Sequence, residues 1–182
     1  MLSLLRHYLP RPTLINSYHA LFASHATFAC QIWGQALPNS HRIIRLQKNA
    51  LRIITFSDFR QSSKPLMFQY RILHISDFVT LSNILLVYNI LQSLSPNDIC
   101  NHFNLKLTQS IHRTRISSIK LLNRPLVRTS KFGINSILYQ CIINWNNFQQ
   151  HFNRHDLSSL SPGQLKSKCK SFFFDSYNIN PY

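Results

Sequence analysis

The stretch His41 to Thr55, HRIIRLQKNALRIIT, limits what this chain can fold into more than any other. At about 100° per residue, its basic side chains Arg42, Arg45, Lys48 and Arg52 fall within an arc of roughly 120°. Ile43, Ile44, Leu46, Ala50, Leu51, Ile53 and Ile54 fill the other side. That separation predicts an amphipathic helix with one face for a core and the other for water or an anion. Ser40 is placed as its N-cap, and Pro38 marks the turn leading in. A solvated helix face usually mixes acids with its bases. This one holds no acid at all.

The same imbalance runs through the chain. Twenty Lys and Arg stand against five acids, all Asp, for a formal charge of +15. A polyanion is the partner such a charge suggests: nucleic acid first, an anionic membrane surface second. Hydrophobic residues make up 45% of 182, enough for a core in one domain or two small ones. Only three Gly are present, so Gly-rich phosphate loops are excluded, and no Walker or dinucleotide fingerprint occurs.

Cys30, Cys100, Cys141 and Cys169 are far apart and form no C-x-x-C pair. They read as reduced, mostly buried thiols of an intracellular protein, nuclear or cytoplasmic. The start, MLSLLRHYLP, is too short in its apolar part for a signal peptide. Phe78 to Asn97 carries no formal charge, but Asn83, Asn89 and Gln92 interrupt it, so a buried helix is expected there rather than a membrane span.

Along the chain, Thr13 to Trp33 reads as one helix through Leu14, Tyr18, Leu21, Phe22, Phe28 and Ile32. Gly34 to Asn39 reads as a loop and Ser57 to Lys64 as a turn. Pro65 to Tyr70 reads as a short helix and Arg71 to Ile75 as an extended piece. Ser76 or Asp77 is expected to cap an apolar helix reaching about Leu94. Cys100 to Lys131 has weak periodicity and reads as irregular with two short strands. Helices return over Ile134 to Phe148 and Pro162 to Tyr177.

Four blocks of residues carry a resemblance. The first is Ile32-Trp33-Gly34. The second is Arg42-Ile43, Leu46-Gln47-Lys48 and Ala50-Leu51-Arg52-Ile53-Ile54, the most specific of them. The third is Pro65-Leu66 with Ile72-Leu73 and Asp77. The fourth runs from Thr114-Arg115 through Arg128-Thr129 to Ser136-Ile137, Tyr139-Gln140 and Trp145-Asn146. In this order they resemble the C-terminal, thumb and post-thumb part of the reverse transcriptase of non-LTR (LINE-type) retrotransposons of the jockey-like kind. The resemblance departs at Cys141, where the family often has Gly, and at Asn147-Phe148, where Leu-Pro is common. It implies thumb helices that grip a template–primer duplex, RNA–DNA or DNA. It also implies a chain that begins after the catalytic palm, its natural packing partner, as a truncated element or incomplete gene model would.

The chemistry of the residues fits a piece without catalysis. Two-metal polymerisation needs close carboxylates, and Asp58, Asp77, Asp98, Asp156 and Asp175 are scattered, with no Tyr-X-Asp-Asp motif. His151 and His155 stand at i, i+4 without a Glu between them or a Cys nearby, so no metal site is expected, and no cofactor or small-molecule substrate either. Trp33 and Trp145 read as core aromatics. His112-Arg113-Thr114-Arg115 is a basic cluster, either a solubilising loop or a phosphate contact. The nucleic-acid-binding set is therefore Arg42, Arg45, Lys48, Arg52, Arg113 and Arg115. The expected fold is mainly α: a helical thumb-like bundle over 1–95, then a less regular basic region over 96–182 with a few short strands and one or two further helices. The alternative is a basic helical adaptor or anionic-membrane-surface protein with no polymerase role.

Overall fold

The computed structural model describes residues 2–35, 37–103, 105–106, 121–129, 133–152 and 157–179, with backbone alone for 37–40 and 179. The protein is mainly helical. In chain order come α1 (Leu2–Leu5), α2 (Arg11–Tyr18), a π-helical turn (His19–Ala23), α3 (Ser24–Thr27), α4 (Cys30–Trp33), α5 (Leu37–Thr55) and α6 (Ser63–Gln69). Then follow α7 (Ile75–Leu91), α8 (Asn97–Phe103), α9 (Ile137–His151), a 3-10 turn (Leu157–Ser159) and α10 (Pro162–Ile179). Of the expected strands, the described residues show a single bridge position, Leu122. Among the described residues, no helix is long and apolar enough to cross a membrane. Two compact units form: Met1–Val79 with Cys169–Tyr182, and Thr80–Lys168.

In the first unit, α5 packs on α1, α2 and α6. Leu14, Tyr18, Leu51, Ile54, Leu66 and Met67 are buried there. The expected single helix over Thr13 to Trp33 is broken. The π-helical turn widens the spiral and changes its phase. Phe28 is then extended and Ala29 left-handed, with φ of 47°. The Trp33 indole N–H donates to the Phe28 carbonyl at 2.8 Å across that break. In consequence Leu21, Phe28 and Ile32, which helical spacing assigns to a core, are exposed, Phe28 by 80%. Gly34 follows because a Cβ there would lie 2.5 Å from Val79 Cγ2.

Helix α7 begins one residue before the expected caps. The residue ahead of it is His74, whose Nδ1 accepts from the Ser76 N–H at 3.3 Å. Ser76 and Asp77 lie inside the first turn instead. Burial, then the charges of Lys48 and Lys64, hold His74 down at about 4, which keeps Nδ1 free to accept. The Tyr177 hydroxyl donates to the Asp77 carboxylate and accepts from the His74 backbone N–H at 3.0 Å. Burial pushes the Asp77 carboxyl up, and the Tyr177 bond offsets part of that.

With so few glycines, three helices end on other residues in the left-handed conformation: Phe56, Arg71 and Ser93. Each end closes with a Schellman bond, Ser57 N–H to Arg52, Ile72 N–H to Met67 and Leu94 N–H to Asn89, at 3.1, 3.0 and 2.8 Å. A non-glycine residue costs about 1 kcal/mol in that conformation. The exposed Ser93 is the cleanest test. Ser93→Gly is expected to raise stability by about 0.5–1 kcal/mol, read as a higher midpoint in urea with an unchanged slope.

The second unit is built on the remainder of α7, where Ile84, Val87, Tyr88 and Ile90 are buried and Leu85 and Leu86 half-buried. The Tyr88 hydroxyl donates to the Leu160 carbonyl at 2.7 Å and Gln92 to that of Ser158 at 2.6 Å. Helix α9 starts at a true N-cap, where Ser136 Oγ accepts from the Tyr139 N–H. Its Trp145 is buried, and Asn146 holds both the N–H and the carbonyl of Leu122 at 2.9 Å. Cys141 here, and Cys169 in the first unit, are buried free thiols, pushed up to about 12 by desolvation.

Candidate nucleic-acid interface

Helix α5 runs over 19 residues, from Leu37 rather than from the expected cap at Ser40. Prolines are tolerated in a first turn because the N–H they lack would be unpaired there, so Pro38 lies within the helix. Arg42 and Arg45 are exposed, and Lys48 and Arg52 are partly covered. Helix α5 itself contains no acid to pair with them.

The four cations are not equivalent. Arg52 Nε donates to the Gln61 carbonyl at 3.0 Å, its Nη1 reaches Asn49 Oδ1 at 3.5 Å, and its guanidinium lies 5.7 Å from the Phe59 ring. It therefore holds the turn after α5 as well as offering its remaining N–H groups outward. Lys48 stands at the edge of the arc away from Arg42, close enough to His74 to help keep it neutral.

The apolar side also differs from the expected pattern. Leu46 is 58% exposed, because it lies about 40° from Arg42 on the helical wheel. Gln47, roughly 140° from Arg42, is only 2% exposed and sits in the middle of the buried face. Its Nε2 donates to the Tyr18 hydroxyl at 3.1 Å and to the Leu73 carbonyl at 2.8 Å, and its Oε1 accepts from the Ile75 N–H at 3.0 Å.

Two further cations join the C-terminal end of α5. The Phe56 ring, swung out by its left-handed backbone, receives Arg6 at 4.9 Å and Arg11 at 5.7 Å from its centroid. Arg6 and Arg52 share a shallow groove with Phe59 and one acid, Asp58. The Arg6 Nε has no hydrogen-bond partner among the described residues. No local pattern marks Arg6 or Arg11 for this surface; only the fold brings them some fifty residues along the chain to Phe56. Arg113 and Arg115 lie outside the described residues, as does His155. Among the described residues no cluster of His, Cys or acid side chains suits a metal ion.

No family model, curated protein or solved structure matches this chain.

Proposed function

We propose that this chain is a thumb and post-thumb part of a non-LTR retrotransposon reverse transcriptase, and that α5 holds the phosphate backbone of a template–primer duplex. The observation that carries the reading is the acid-free row Arg42, Arg45, Lys48 and Arg52, with Arg42 and Arg45 exposed. The ordered resemblance along the chain supplies the family. Contacts of this kind position a duplex and carry little sequence information. The missing palm would be its packing partner, and the scattered aspartates leave polymerisation to carboxylates outside this sequence.

One observation favours a second reading. Leu46 is exposed beside Arg42 and Arg45, and an apolar side chain flanked by bases is also what a helix lying on anionic lipid presents. Binding of the purified chain to an RNA–DNA hybrid, a DNA duplex and phosphatidylserine vesicles separates the two. The hybrid is expected to bind at least as well as the DNA and better than the vesicles. With a primed RNA template, deoxynucleotides and magnesium, the chain alone is expected to extend no primer. Tighter binding to vesicles would transfer the helix to the membrane reading, and metal-dependent extension that survives repurification would refute a non-catalytic piece.

A further inference from the structure

The first unit contains a cleft of about 390 Å3 that the duplex reading does not use. Tyr18, Phe22 and Phe78 give it aromatic walls, and Gln47, Arg71 and Lys170 supply polar groups. The volume is in the range of small-ligand sites.

Three features mark it as more than a packing gap. The first is Tyr18. It is 2% exposed, its hydroxyl accepts from Gln47, and its own proton meets no acceptor among the described residues. Burial pushes its pKa up, so the proton stays on at neutral pH. A buried donor on a cleft wall is costly unless an acceptor comes to it. The second is the pair Arg71 and Lys170. Both line the cleft, and the Arg71 guanidinium is held 5.6 Å from the Phe68 ring and 5.3 Å from the Phe174 ring, one turn of α10 after Lys170. Neither has an acid partner among the described residues. The third is the π-helical turn, whose His19, Phe22 and Ala23 all line the cleft. Such turns are rare and concentrate at functional sites.

We propose that this cleft binds a nucleoside phosphate, either free or as the terminal nucleotide of a strand. The phosphate meets Arg71 and Lys170, the flat base enters between Phe22 and Phe78, and an acceptor on the base edge takes the Tyr18 proton. A hydrocarbon chain would fill the same space but leave Tyr18 unsatisfied. Inorganic phosphate would meet the cations and leave the aromatic walls wet. The site is independent of the duplex reading: Gln47 reaches the cleft from the face of α5 opposite to that of Arg42 and Arg45.

Calorimetric titration of the full chain with adenosine monophosphate tests it, with guanosine, cytidine and uridine monophosphates alongside. Adenosine, inorganic phosphate and decanoate serve as partial ligands. One molecule of adenosine monophosphate is expected to bind, at least about tenfold tighter than any partial ligand. Arg71→Gln with Lys170→Gln should weaken it at least about tenfold, and Tyr18→Phe by about three- to tenfold, with melting followed for each. Replacing Arg42, Arg45, Lys48 and Arg52 with Gln should leave it within about twofold, so loss of duplex binding and loss of nucleotide binding are read separately. Competition by a 5′-phosphorylated but not a 5′-hydroxyl oligonucleotide would assign the ligand to a strand end; no competition would assign it to the free nucleotide. A folded chain that binds no nucleoside monophosphate, binds decanoate more tightly, or keeps full affinity in the Arg71 and Lys170 variant overturns the proposal.

Discussion

A Gln47→Leu protein is expected to lose about 2–4 kcal/mol of stability, although the change makes an amphipathic helix look more regular. Gln47 ties α5 to Tyr18 of α2 and to the entry into α7, through the Leu73 carbonyl and the Ile75 N–H. The last of these is a first-turn donor of α7, which has no partner within its own helix. Leucine fills a similar volume and gains apolar burial, but it strands a buried N–H, a carbonyl and a hydroxyl at once. Each stranded group costs about 1–3 kcal/mol, less where water from the neighbouring cleft reaches it. The paired control is Leu46→Gln, one residue earlier. Because Leu46 is mostly exposed, that change is expected to stay within about 0.5 kcal/mol. Urea unfolding of both proteins measures the contrast. Equal losses, or a larger loss at Leu46, would mean that α5 is rotated from the orientation described.

That pair also shows what could be read from the residues and what could not. Helical class is a local property, so α6, α9 and α10 follow from spacing, and α9 starts at Ser136 because its own side chain reaches the Tyr139 N–H. Trp145 is core, as its place in that periodicity implies. Gln47 was not legible as core, because its burial depends on partners 26 to 29 residues away. A fixed 100° wheel contains neither the π-helical turn nor the break at Phe28 and Ala29, so it places Leu21 and Ile32 in a core they do not enter. The His74 side chain carries no local capping signal, because an imidazole accepts there only when burial and two lysines hold it neutral. At the basic face, four cations on one arc were legible from α5 alone. The division of labour among them was not: Arg52 is committed to Gln61 and Phe59, and Arg6 and Arg11 arrive through Phe56.

The second large effect concerns that face. If Arg42, Arg45, Lys48 and Arg52 each neutralise a phosphate, changing all four to Gln keeps good helix formers in place while removing four contacts. The slope of log affinity against log salt on a DNA duplex should then fall by roughly 3 to 4 units, at about 0.9 per phosphate. Because Arg52 also holds the turn to Gln61, a triple variant that retains it separates binding from folding. Its slope should fall by roughly 2 to 3 units with an unchanged melt. The comparison is a quadruple change of exposed cations elsewhere, Lys106, Arg124, Arg128 and Lys166 to Gln. Charge lost far from the duplex lowers affinity through general attraction but removes few bound phosphates, so its slope should change by less than about 1 unit. The most direct measurement is therefore the salt dependence of duplex binding for these proteins side by side. A drop in slope confined to the α5 variants is the result expected of a helix that grips phosphates; equal slopes for the α5 and comparison variants would show that its basic face is only solvated.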